Sequence, residues 1–157
     1  MIKKMGLMAL GLSMVLLSGC GSSDNDAVTN PTPPPVETPD PTPPISNSDY
    51  ILKVAFENKQ NNLQVNGIGS TKRLLSDDNT GSRHQRFILE LSSGQTLLIS
   101  HNIDLAAKID TLQINDIVEF YGVYEWNEEG GVVHWTHDDP NGTHINGWLK
   151  HNGITYY

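Results

Sequence analysis

The densest run of chemically capable side chains is His134-Trp135-Thr136-His137-Asp138-Asp139, and all six histidines of the chain fall between His84 and His151. Imidazole and carboxylate together suit Zn, Mn or non-haem Fe. A metal-dependent hydrolase, acting for instance on phosphodiesters, would take His134, His137, Asp138 and His101 as ligands of a divalent transition metal. Asp139 or Asp104 would then serve as the base or steady a ligand. Geometry restricts this reading. On a strand, residues three apart face opposite sides, so His134 and His137 reach one ion only if the chain bends at Thr136 or His137. The Asp139-Pro140 loop gives a reason for such a bend. The other reading is a network of structural histidines capped by carboxylates.

A second group is His84-Gln85-Arg86, with Arg83, Lys72 and Arg73 near it in sequence. These four cations form the one basic spot of an acidic domain and could seat a phosphate or carboxylate; they would also be explained as the solvated sides of two paired strands. Trp126, Trp135 and Trp148, with Tyr121, Tyr124, Tyr156 and Tyr157, load the C-terminal half with aromatics. Exposed, they would stack on sugars or bases; buried, they would fill a small barrel. His84, Arg86, Trp126 and Trp135 are therefore the candidate ligand-binding side chains. Other motifs fail. Asp77-Asp78-Asn79-Thr80-Gly81 has its glycine one position early for a calcium loop, and Ile88 stands where the bidentate Glu belongs. There is no Gly-x-Ser-x-Gly elbow. Gly130-Gly131 precedes no helix and reads as a hairpin turn.

These groups need strands to hold them. Phe87, Leu89 and Leu91 alternate on one face, Ser92-Ser93-Gly94 turns the chain, and Gln95 to Ser100 returns. Leu105, Ile109 and Leu112 are spaced as on a short helix, with Asp104 or Asn102 as its N-cap. Ile117 to Tyr124 and Val132 to Thr136 alternate again, and Asn152-Gly153 would turn a final hairpin between Ile145–Leu149 and Ile154–Tyr157. Upstream, a long first strand from about Leu63 to Leu75 contains Gly67 and Gly69, which mark a bulge or sharp coiling. A coiled first strand, a hairpin, a helix and two further strands is the order of a small OB-like five-stranded barrel, mostly β, here with one short helix and a C-terminal hairpin.

The segments His84-Gln85-Arg86-Phe87, His101 to Ala106, Gly122 to Asn127 and Gly130 to Asp139 resemble the signature stretches of an uncharacterised bacterial family, domain of unknown function 3465. The resemblance covers roughly Leu63 to Tyr157. It implies an exported, single compact domain and carries no activity with it.

The N-terminal third has a different composition. Lys3 and Lys4 precede an apolar run from Met5 to Leu17, shorter than the roughly 20 residues a permanent span requires. Leu17-Ser18-Gly19-Cys20 resembles the lipobox of bacterial lipoprotein precursors, in which the cysteine is acylated and the chain is cut before it. Residues 1–19 are thus expected to be a signal peptide, and Cys20 the site of lipidation. Eight of the nine prolines fall in the stretch that follows, so residues 20–48 read as a disordered tether and residues 49–157 as the domain. Cys20 is the sole cysteine, so the domain has no disulfide and must fold on its core. Once Lys3 and Lys4 are removed, 8 basic residues face 18 acidic ones, a net charge of −10. That balance disfavours non-specific nucleic-acid binding and leaves membrane attachment to the lipid. Gly21 follows the cysteine in place of the aspartate that favours inner-membrane retention, which points to the outer membrane.

Three functions fit: a tethered binding module for an envelope ligand, the metal-dependent hydrolase, and a structural envelope protein.

Overall fold

A computed structural model of the protein describes residues 46–157; the expected signal peptide, Cys20 and the Pro-rich stretch to residue 45 lie outside the described residues. In chain order the elements are α1 (Asn47–Glu57), β1 (Leu63–Leu74), β2 (His84–Glu90), β3 (Thr96–Asn102), β4 (Ile117–Glu125), β5 (Val132–His134), β6 (Trp148–His151) and β7 (Ile154–Tyr156). The strands pair in the order β1-β2-β3-β5-β4, and β4 pairs back with β1, which closes a five-stranded barrel of the expected OB-like kind. All its pairings are antiparallel except β3 with β5.

Period-two alternation puts Phe87, Leu89, Leu97, Ile99, Val118, Phe120 and Val133 inside, each fully buried. The coiling of β1 has the cause its glycines suggested. This strand pairs with β4 over Leu63–Ser70, then with β2 from Ser70 onward, with a register shift between Thr71 and Arg73. A Cβ on Gly67 would lie 2.5 Å from the Phe120 ring, and one on Gly69 would lie 2.8 Å from the Glu90 carbonyl oxygen. Only glycine lets the strand pass this close while it changes partner. The final hairpin turns at Asn152-Gly153, where both residues have positive φ as a two-residue type I′ turn demands.

The helix is in a different place from the one the spacing of Leu105, Ile109 and Leu112 predicts. The segment from Ile103 to Asp116 contains turns but no helix. Buried polar side chains from the barrel claim the backbone groups that a helix would use. Gln85 Nε2 donates to the Ile109 carbonyl and the Ile109 N–H donates to Gln85 Oε1, both at 2.9 Å. His101 Nε2 donates to the Ala107 carbonyl at 3.2 Å. The segment stays irregular and plugs its end of the barrel with Ala106, Ile109 and Leu112, all buried. The short helix is instead α1, whose N-cap Ser46 accepts from the Asp49 N–H. Leu52 and Ala55 seat it on the core, and the buried Asp49 carboxylate accepts from the hydroxyl of Ser92 and the N–H of Ser93 in the β2–β3 turn. None of the described residues forms a helix long and apolar enough to cross a membrane.

Candidate functional site

The strands β5 and β6 lie end to end along the same edge of β4: Val123 pairs with His134, and Tyr121 with Trp148. Between them the chain makes an excursion, residues 135–147. It leaves at Trp135, whose φ of 53° puts a bulky residue in the left-handed region, a strained conformation for any residue with a side chain. It closes at Gly147, whose N–H donates to the His137 carbonyl at 2.9 Å. The chain therefore bends between His134 and His137, with Trp135 in the left-handed region and a bend at His137, one of the two positions expected.

Asp139 organises the excursion. Its carboxylate accepts from the N–H groups of Asn141, Thr143 and His144 and from the Thr143 hydroxyl. Those donors, the Asn141 N–H foremost, hold its pKa down at about 2. A carboxylate so occupied is a poor proton acceptor, which weighs against Asp139 as a base. Asp104 is tied up likewise. Its two oxygens accept from the backbone N–H and Nε of Arg83, each at 2.7 Å, and these contacts lower its pKa.

Histidine and tryptophan meet on the outer surface where β2, β3 and β5 run side by side. A cleft of about 310 Å³ is lined by His84, Ser100, Asn102, Leu105, His134, Trp135 and His137. That volume lies at the lower end of the range for small-molecule sites, ~300–1,000 Å³. His144, which lies outside the sequence motifs, stacks on the Trp135 ring at 4.3 Å and 6°. Its signal in the sequence was only its spacing from Asp139, whose carboxylate fixes its backbone. His134 has its pKa lowered by burial, partly offset by the Glu125 carboxylate 3.8 Å from its Nε2. Of the larger depressions, one of about 590 Å³ beside Ile68 and Ile117 is mainly apolar, and one of about 530 Å³ beside Phe56 is lined by Lys53, Glu57, Glu128 and Glu129; neither contains a histidine or a tryptophan.

The remaining candidates separate. His101 is buried beneath the cleft with both ring nitrogens committed: Nε2 donates to Ala107, and Nδ1 accepts from the Thr136 hydroxyl at 2.8 Å. Burial drives its pKa down to about 4. It has no lone pair to offer a metal. Asp138 is exposed, and its carbonyl accepts from His137 Nδ1 at 2.6 Å. Among the described residues no group of three or more His, Cys, Asp or Glu is arranged to hold a metal ion. The ligand set His134, His137, Asp138 and His101 is thus not assembled, because His101 is spent on the fold and Asp138 points to solvent. Arg86 lies on the outer face of β2, but its guanidinium donates to the Ser76 carbonyl at 3.0 and 3.1 Å. Lys72 pairs with Glu90, Arg83 with Asp104 and Arg86 with Asp78 at 3.9 Å, so three of the four cations are neutralised locally. Trp126 sits at the opposite end of β5 from Trp135. There it stacks on Phe56 of α1 at 6.5 Å, with Lys59 Nζ 4.8 Å from its ring, and it takes no part in the cleft.

With the fold and the cleft described, comparison with known families adds one finding. Residues 40–157 match the family described as Protein of unknown function (DUF3465). The chain belongs to that family. The match runs from ahead of α1 to the C-terminus, so α1, the barrel, the excursion and the final hairpin of this DUF3465 chain all lie within it. No curated protein matches the chain.

Proposed function

We propose that this DUF3465 protein is an exported lipoprotein whose barrel is a binding module, with the cleft at Trp135 as its ligand site. The observation that carries the reading is the convergence of His84, His134, His137 and Trp135 from two strands and the excursion onto one small cleft. The carboxylates that would make the site a hydrolase are tied to backbone donors or to Arg83, which favours binding over catalysis. Lys3, Lys4, the apolar run and Cys20 support export and lipid attachment, with the Pro-rich tether as spacer between membrane and domain. Gly21 supports the outer membrane as the place of attachment, where the ligand would be an envelope component.

Two measurements test this. The chain is expected in the membrane fraction of cells and Cys20→Ala in the soluble fraction; equal partition of the two would remove the lipid anchor from the account. For the site, the mature chain carrying Cys20→Ser is titrated with a library of small organic fragments and followed by NMR. Bound fragments are expected to shift the resonances of His84, Asn102, Trp135 and His137. Shifts confined to other surfaces, or no saturable shift at all, would defeat the assignment of the cleft.

A further inference from the structure

Three of the imidazoles at the cleft, those of His84, His137 and His144, share one tautomer. His84 Nδ1 lies 2.8 Å from the Ser82 carbonyl oxygen, His137 Nδ1 2.6 Å from that of Asp138, and His144 Nδ1 2.9 Å from that of Ile145. A carbonyl oxygen can only accept, so in each ring Nδ1 carries the proton and Nε2 keeps a free lone pair while the ring is neutral. The backbone has in this way fixed two of the three cleft-lining rings, His84 and His137, as acceptors, and it has locked their orientation. Asn102 is set the other way. Its Oδ1 accepts from the Asp104 N–H at 2.9 Å, which leaves its amide NH₂ as a donor. Ser100 offers a hydroxyl, able to do both, and Trp135 and Leu105 supply the apolar walls.

Two oriented acceptors, an amide donor, a hydroxyl and an indole suit a ligand with several O–H groups set around a ring whose faces are C–H. They do not suit an anion. Arg83 is held by Asp104 and Arg86 by Ser76, so no guanidinium converges on the cleft, and the mature chain is strongly acidic. Nor do they suit a metal ion, for which no third side chain is in place among the described residues.

The geometry points to a neutral saccharide unit as the ligand of this cleft, its hydroxyls donating to His84 Nε2 and His137 Nε2 and accepting from the Asn102 amide, with a C–H face against the part of Trp135 that lines the cleft and is not covered by His144. The inference rests on the binding reading above and names the ligand class for the same site. The sugar hydroxyls exchange water for fixed partners, and the indole removes the hydrophobic ring face from solvent.

The test uses the mature chain with Cys20→Ser, titrated calorimetrically with chitotetraose, cellotetraose and maltotetraose, and separately with inorganic phosphate and zinc chloride. At least one oligosaccharide is expected to bind saturably, equally well with and without a chelator. Affinity is expected to fall about tenfold in His84→Ala, where one hydrogen bond is lost, and further in Trp135→Ala. Both side chains are only half-buried, and thermal unfolding of each variant reports whether the barrel is intact. Binding of phosphate or zinc in place of every sugar would overturn the proposal, as would sugar binding that survives both substitutions in folded protein. Fragments that shift the cleft resonances while no sugar binds would defeat the saccharide and leave the binding site standing; a cleft that nothing perturbs would defeat both.

Discussion

Between pH 7 and pH 4 the unfolding free energy of the domain is expected to fall by about 3 kcal/mol through His101 alone. The side chain is fully buried, and its pKa falls from an ordinary 6.5 to about 4, with burial the largest cause. The hydrogen bonds from Thr136 and to Ala107 fit the neutral ring, and a proton on Nδ1 would face a hydroxyl that has to turn round. The sign follows from which state takes up the proton. Below about 6.5 the unfolded chain protonates His101 while the folded domain resists, so stability drops as pH falls and levels off below about 4. His134, also lowered by burial, adds a smaller loss of the same sign. The depressed carboxylates, Asp139 among them, act in a lower window: their contribution is present above 3.8 and is lost as pH falls toward about 2. Urea unfolding of the wild type and His101→Gln at steps between pH 7 and pH 4 separates these effects. The variant is expected to be less stable at pH 7 and to have a shallower pH slope. Parallel slopes would show that His101 is not the titrating group.

The second large effect is expected at Gly147. A Cβ there would sit 1.9 Å from the Trp135 carbonyl oxygen and 2.6 Å from that of Tyr121, both backbone atoms that cannot swing aside. Gly147→Ala must therefore force apart the two ends of the excursion, at a cost of about 3 kcal/mol. The displacement would reach the cleft directly, since Trp135 is one of the two ends being pushed. Gly142, at the tip of the same excursion, is the internal comparison. It has φ of 65° and nothing within 4 Å, so an alanine there costs only the left-handed strain of about 1 kcal/mol. Urea midpoints of the two variants, with the Trp135 indole resonance as a local reporter, should show Gly147→Ala to be the more damaging by a clear margin. Equal midpoints would mean that the pinch at residue 147 yields easily.

What each side chain does in the barrel was unevenly legible in the sequence. The strands were readable because one face of each is buried, so Phe87, Leu89 and Leu91 or Val118 and Phe120 must alternate. The tight Asn152-Gly153 turn and the coiling at Gly67 and Gly69 were readable because only a few residue types tolerate those backbones. The segment after β3 was misread for a definite reason: its apolar residues have helical spacing, and nothing local reveals that Gln85, 24 positions earlier, will take both backbone groups of Ile109. Missing α1 was the converse, since Leu52 and Ala55 give it a narrow apolar stripe that follows directly on the Pro-rich stretch.

The candidate site divides the same way. Residue type and spacing alone crowd histidine, tryptophan and aspartate into the stretch from His134 to His144, leave the domain without a disulfide, and set the barrel after an acidic, Pro-rich segment that follows Cys20. These features are fixed before folding. Which of those groups remain available for chemistry depends on long-range contacts made in the folded chain. Asp139 and Asp104 satisfy backbone donors and Arg83, His101 goes under the barrel wall to meet Thr136, and Trp126 joins α1. His84, His134, His137 and Trp135 are left facing one cleft. A polar side chain buried in a barrel must find a partner, and which partner it finds depends on contacts many residues away.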